Sequence, residues 1–556
     1  METFAEVVRS RRGDAHEGLR FEGRSWTWDE IVREAAVRAS LLRTFEPGPG
    51  RTQRHVGVLL ENLPDFVFWI LAAAVTGDVL VGVNSTRRGA ELAADISHTD
   101  VDVLLTEPLY GAEVASLELP AVRRVLDVES AEYRDLLAEH AGADLPASLP
   151  DPAAILLLLF SSGSTGTPKA VICGNGRLGR LTDALAERVS LHRESVTYLC
   201  LPLFHGHAIM MNLAAAAKAG ATIVLVRKFS AAQFVPDLRA HGVTYFNYVG
   251  RVLSYLVAQP EQPTDADNRL EVAFGSEAAP GEAAEFGRRF GCEVREGYGS
   301  SEGGIRIVPD PDGPPNALGR PAPGMRAEIR DQDNRECPLA EFDENGLLLN
   351  AEEATGEIVA VGRGKTFEGY YRNPSAMAER LKFGGEDFWT GDLGYRDRDG
   401  YLYFAGRAAD WLRVDGENFG TIAVERILGR YRPFAAAHCY GVPDPRTGDL
   451  LMAAVVLAED AAFDPVDFDE FLAAQPDLGT KWRPTFVRII DEVPVTGSGK
   501  ADKAPLRALG WEGDRVWYAP SRSSPYRLLT AEDRRGLRAE FAAHGRENLL
   551  PAACRR

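Results

Sequence analysis

Residues 161–169 read Ser-Ser-Gly-Ser-Thr-Gly-Thr-Pro-Lys and directly follow the apolar run Leu156 to Phe160. An unbroken apolar run too short for a helix predicts a buried strand that empties into a loop. Gly163 and Gly166 let the backbone turn its N–H groups toward an anion. Ser161, Ser162, Ser164, Thr165 and Thr167 add hydroxyl donors, and Lys169 brings a positive charge, so the chemistry this loop suits is phosphate binding. It is not the nucleotide loop of kinases and GTPases, which runs Gly-x-x-x-x-Gly-Lys-Ser/Thr, because Pro168 precedes the lysine here.

Other chemistry-bearing clusters are spread along the chain. His205-Gly206-His207 follows a predicted strand and precedes an apolar helix; with no third ligand nearby, a pocket wall suits the pair better than a metal site. Gly275-Ser276-Glu277 closes a further predicted strand, and strand ends in open α/β sheets are where ligands bind. Tyr298-Gly299-Ser300-Ser301-Glu302 sets an aromatic face, hydroxyls and a carboxylate in one turn, the parts needed to stack a purine, bond a phosphate and hold Mg²⁺. Thr390-Gly391-Asp392 places a carboxylate on a turn, as an acceptor for a sugar diol. Arg407 stands at a change of composition, and Lys500 ends the small-residue loop Thr496-Gly497-Ser498-Gly499.

The elements that must position these groups follow an α/β rhythm. A hairpin over Leu19 to Thr27 leads to a helix over Trp28 to Leu42, capped by Thr27. Strands at Val56 to Leu60, Val79 to Val83 and Val103 to Thr106 alternate with helices at Asp65 to Thr76 and Ala90 to Ser97. After the phosphate loop the rhythm resumes: helix Arg177 to Val189, strand Val196 to Leu201, helix Ala208 to Ala219, strand Thr222 to Leu225, helix Ala231 to His241, strand Tyr245 to Val249 and strand Leu270 to Phe274. This alternation predicts parallel sheets with crossover helices. From about residue 317 the text turns β-rich, suggesting a smaller barrel-like unit. The expected organisation is a large N-terminal domain of parallel sheets with flanking helices plus a β-rich subdomain (1–406), a small mobile α+β domain (407–510) and a C-terminal tail (511–556).

The formal charge of −19 over 556 residues argues against nucleic acid and anionic membranes as partners. Six widely spaced cysteines give neither zinc spacing nor a disulfide framework, which points to a reducing cytoplasm. No signal peptide is expected from Met1-Glu2-Thr3-Phe4-Ala5-Glu6, and the longest apolar stretch, Phe66 to Val75, is too short to span a bilayer.

In combination and in this order, the Ser161 to Lys169 loop, Tyr298 to Glu302, Thr390 to Asp392, Arg407 and Lys500 resemble the adenylate-forming superfamily of acyl-CoA synthetases, peptide-synthetase adenylation domains and luciferases. Residues 407–419 and the tail resemble its long-chain acyl-CoA ligase and fatty-acid transport protein branch. The resemblance implies two half-reactions: a carboxylate attacks the α-phosphorus of MgATP to give an acyl adenylate and pyrophosphate, and a thiol, usually coenzyme A, displaces AMP. It implies that Ser161 to Lys169 hold the β- and γ-phosphates, Tyr298 stacks on adenine, Ser301 contacts the α-phosphate and Glu302 binds Mg²⁺. Asp392 takes the ribose hydroxyls, Arg407 reaches ribose or phosphate, and Lys500 bridges the attacking carboxylate and the α-phosphate. Gly275, Ser276, Glu277, Gly299 and Ser300 complete the nucleotide set, while His205 and His207 face the acid and His205 joins Lys500 and Glu302 as a catalytic candidate.

Two positions depart from the family pattern. The place two residues after Arg407, usually aspartate or lysine, is Ala409, with Asp410 next, and His207 replaces the small polar residues of the fatty-acyl branch. A second histidine would favour a polar or anionic acid over a plain alkyl chain. Superfamily members that activate nitrite with ATP and diazotise an aromatic amine are therefore a second reading. A nucleotide-binding regulator without catalysis is a third, against which Lys500, Glu302 and Arg407 count. The sequence leaves room for a homodimer.

Overall fold

The computed structural model describes residues 2–555 except 161–168, 277, 279–280, 311, 344–347, 408–410, 415–416, 447, 480 and 497–500. The chain packs as two compact units. Among the described residues, the first comprises 2–303 together with 365–379, and the second comprises 304–364, 380–496 and 501–555.

The first unit carries two sheets. One has six strands in the order Arg124–Asp127, Val103–Thr106, His55–Leu59, Val79–Gly82, Ile155–Phe160 and Ala170–Gly174. All pairs are parallel except the last, where Ala170–Gly174 returns antiparallel along Ile155–Phe160 and forms an edge. The other has seven strands, with Val196–Leu199 between Thr222–Leu225 and Tyr245–Val249, and the hairpin Glu17–Phe21/Arg24–Thr27 at one end. The expected βα alternation is thus present, and the strands are buried along nearly their whole length, as sheets covered on both faces must be.

Local chemistry sets the helices. Thr27 and Glu30 form a reciprocal capping box that starts helix Trp28–Leu42, and helix Pro64–Thr76 opens on a proline and stops at Gly77 in the left-handed region. Helix Pro64–Thr76 is apolar all round because it lies in the largest core, among Trp28, Tyr198 and Leu213. Among the described residues no helix is long and apolar enough to cross a membrane.

The second unit holds a six-stranded sheet, whose named strands pair antiparallel and whose edges are Ile307–Val308 and Ala327–Arg330. It is an open sheet rather than the barrel that the turn spacing suggests. A five-stranded sheet follows: Phe434–Pro443, Asp449–Leu457, Phe486–Ile490, Val516–Tyr518 and Arg527–Leu528. Its central strands alternate, so Leu451, Ala453 and Val455 enter one core while Met452 and Ala454 enter the other. The residues after 511 are part of this packing: Trp511 is fully buried against Phe486 and Phe541, and helix Ala531–Ala543 starts at a Thr530–Asp533 capping box.

Candidate active site

Strand Ile155–Phe160 ends where the phosphate loop begins. Ser161, Ser162, Gly163, Ser164, Thr165, Gly166 and Thr167 lie outside the described residues, as do Glu277, Ala409, Asp410 and Lys500. Lys169 is described: its Nζ sits 2.9 Å from Glu379 Oε2. Strand Ala170–Gly174 and helix Asn175–Arg188 follow at once, which fixes the exit of the loop on rigid structure.

The His205-Gly206-His207 turn stands after strand Val196–Leu199. Buried Asn62 staples it: its Oδ1 accepts from Leu203 N at 2.9 Å while its Nδ2 donates to Leu201 O at 3.0 Å and Val226 O at 3.1 Å. The His205 ring tilts against Phe204 at 4.2 Å between centroids, and His207 stacks on Phe274 at 6.2 Å and 24°. Arg188 lies 4.7 Å from the Phe274 ring centre. A Cβ at Gly206 would stand 2.8 Å from Ser301 Oγ, so this turn lies directly against the Tyr298–Glu302 stretch. The helix expected from Ala208 begins at Gly206 and widens into a π-helix over Ile209–Ala214. Within it, fully buried Asn212 bonds Thr197 Oγ1 at 2.7 Å and Asn247 Oδ1 at 2.8 Å, a buried polar seam inside an otherwise apolar helix.

Tyr298 is half-buried, Gly299 and Ser300 are exposed, and Glu302 is buried. Ser300 O accepts from Gly303 N, closing the turn, and Arg177 Nη2 donates to Ser301 O at 2.6 Å. Tyr370 donates its phenolic hydrogen to Glu302 Oε1 at 2.8 Å. Gly275 and Ser276 end strand Val272–Ser276, opposite Tyr248 and Val249. The thiols of Cys173 and Cys200 are buried; burial pushes Cys173 up to about 11 and raises Cys200 further, so neither is poised as a thiolate nucleophile.

In the second unit, Asp392 lies on strand Phe388–Arg396, and its strand partner, residue for residue, is Arg407 on Leu402–Arg407. Thr390 Oγ1 donates to Ile358 O at 2.8 Å and accepts from Asp392 N at 3.1 Å, while Gly391 adopts φ +74° and donates its N–H to Glu357 Oε1 at 2.7 Å. Val495 and Ala501 pair antiparallel.

Glu302 suits Mg²⁺ when a nucleotide is present. Mg²⁺ takes one or two carboxylates and fills its octahedron with phosphates and water. A single buried carboxylate, one oxygen of it anchored, matches that need, and among the described residues no cluster of three His, Cys, Asp or Glu offers a self-sufficient metal cage.

Residues 5–371 match the AMP-binding enzyme family, and residues 423–500 match its C-terminal domain. The chain belongs to the AMP-binding enzyme family. Within this family it is 48% identical over 555 residues, 99% of both chains, to steroid-22-oyl-CoA synthetase of Rhodococcus jostii. It is 43% identical over 503 residues, 90% of this chain and 95% of the relative, to medium/long-chain-fatty-acid–CoA ligase FadD17 of Mycobacterium tuberculosis. The fold is that of ATP-bound MatB from Rhodopseudomonas palustris, with a TM-score of 0.79, 21% identity and coverage of 91% and 98%. This AMP-binding enzyme is an ATP-dependent ligase that activates a carboxylic acid as an adenylate and transfers it to coenzyme A.

Motif reading singles out the acids and the histidines but passes over Asn62, Arg177, Asn212 and Tyr370, which hold the segments carrying them. Each acts through a partner more than 10 residues away in sequence, so no local spacing marks it.

Proposed function

We propose that the acid is a large apolar carboxylic acid of the steroid side-chain type, and that the nucleotide residues act as follows. The Ser161 to Lys169 loop holds the β- and γ-phosphates, with Lys169 leaving Glu379 for the phosphate. Tyr298 packs on adenine beside Gly275, Ser276 and Glu277, Ser301 meets the α-phosphate, and Asp392 and Arg407 take the ribose. Glu302 binds Mg²⁺, which when bound offsets charge on the phosphate oxygens.

In the first step a carboxylate oxygen of the acid bonds to the α-phosphorus and the bond to pyrophosphate breaks. Lys500, carried by the 407–510 domain, neutralises charge on both reacting partners at that moment. In the second, the coenzyme A sulfur bonds to the acyl carbon, the acyl–AMP bond breaks, and the thiol proton passes to solvent. His205 and His207 wall the acid. Their neighbours Phe204 and Phe274 make that wall aromatic, so an apolar acid fits it better than the anionic one suggested by two imidazoles alone. The cysteine pattern supports a cytoplasmic setting.

The 48% identity along the whole chain to a steroid-22-oyl-CoA synthetase carries the substrate class. The test is kcat/KM for coenzyme A ester formation, followed by mass spectrometry, across a C22 steroid acid, palmitate, octanoate and benzoate, with nitrite plus an aminoarene as a further arm. The steroid acid is expected to lead palmitate by about tenfold or more, a pocket-fit difference of over 1 kcal/mol. A lead for palmitate, benzoate or nitrite overturns the assignment.

A further inference from the structure

We propose that Tyr370 is a positioning residue for the Glu302 carboxylate, and that residues 365–379 form a strap tying the Glu302 turn to the exit of the phosphate loop. The inference rests on the reading of Glu302 as the cation-binding acid.

The strap packs with residues 1–303, although the chain on either side of it packs in the second unit. It covers the edge strand Ala170–Gly174: Ile172 N donates to Gly369 O at 3.0 Å, Tyr371 N donates to Ala170 O at 2.8 Å, and Val171 pairs antiparallel with Tyr370. The strand that leaves the phosphate loop and the backbone of Tyr370 are therefore one hydrogen-bonded ladder. Two further ties run the same way. Glu368 Oε2 accepts from Gly174 N at 2.6 Å, and Arg177, whose Nη1 is 3.9 Å from that carboxylate, bonds Ser301 O through Nη2. Directly after Tyr370 the strap is anchored on Asp100, whose two oxygens accept from Tyr371 and Arg372 at 2.8 and 2.7 Å.

The choice of a phenol matters. Tyr370 is 3% exposed and Glu302 7%, and Phe367 meets the Tyr370 ring edge-on at 5.2 Å, so the donor is held in one orientation. A phenolic hydrogen bond orients a carboxylate while leaving its charge intact, whereas a lysine or arginine there would compete with a cation. Among the described residues Glu302 forms no ion pair, and Tyr370 is its hydrogen-bond partner. Pinning a flexible side chain beforehand removes an ordering cost from cation binding. Because the pin hangs from the ladder beside the phosphate loop, the cation acid and the loop exit keep a fixed relation.

The test uses the full chain, Mn²⁺ as the probe and α,β-methylene ATP, with bound Mn²⁺ read by electron paramagnetic resonance. Tyr370→Phe is expected to weaken Mn²⁺ about tenfold, the effect of one hydrogen bond to a charged group. Its affinity for the analogue in EDTA should stay at the wild-type value, while its melting temperature falls slightly because a buried carboxylate loses its partner. Arg177→Lys, which keeps the charge but shortens the reach, is expected to weaken Mn²⁺ about threefold, and it tests the strap whether or not Tyr370→Phe folds. Wild-type Mn²⁺ affinity in both variants, or an equal loss of the analogue in EDTA, overturns the proposal. Glu302→Gln separates the layers: if it too binds Mn²⁺ normally, the reading of Glu302 fails, and if it alone loses Mn²⁺, only the role of Tyr370 fails.

Discussion

Two carboxylates assigned to the same nucleotide are built in opposite ways. Asp392 is made locally: Thr390 caps its N–H, Gly391 turns at φ +74°, and the strand sets the residue in register with Arg407 of the neighbouring strand. Glu302 is made from three distant pieces: the turn after Glu296, Arg177 on helix Asn175–Arg188, and Tyr370 on the strap. A ribose acceptor needs only to be displayed, and a three-residue turn suffices for that. The Glu302 carboxylate is at once buried, oriented by Tyr370 and, among the described residues, kept out of ion pairs, and no short segment does all three.

This contrast can be broken by substitution. Glu302→Gln should cost the most, about 10²- to 10³-fold in the rate of ATP–pyrophosphate exchange, as loss of one preorganised electrostatic group does; a fall of only a few fold would put the two acids on one footing. Asp392→Ala should act mainly on nucleotide affinity, raising KM for ATP by about tenfold, with kcat falling less. A loss confined to kcat would contradict the display role. Gly391→Ala probes the turn alone. The left-handed backbone strains any Cβ, by about 1–2 kcal/mol, and that Cβ would stand 2.0 Å from Arg380 Nη1, the movable tip of a side chain. Thermal melting should fall by a few degrees while Mn²⁺ affinity holds.

The same contrast explains what the sequence disclosed. Strands such as Val103–Thr106 and Tyr245–Val249 were legible to the residue, because a doubly covered strand is an apolar run with few alternatives. Thr27 marked its helix, because its capping box with Glu30 is written within four residues. The Asp392 turn was legible for the same reason. The π-helix Ile209–Ala214 was not, since its apolar residues read as an ordinary α-helix and the buried Asn212 answers to Thr197 and Asn247 on neighbouring strands. Edge strand Ala170–Gly174 was hidden by its position between a loop and a helix, and its other neighbour, the strap, comes some 200 residues later. The partner of Glu302 belongs to that same long-range class.

The most direct test of the chemistry follows oxygen. With ATP, Mg²⁺, coenzyme A and an acid carrying ¹⁸O in its carboxylate, attack of that carboxylate on the α-phosphorus leaves one labelled oxygen on the AMP released with the coenzyme A ester. Mass spectrometry of the AMP should find that label in step with turnover. Unlabelled AMP alongside coenzyme A ester formation would contradict the adenylate route.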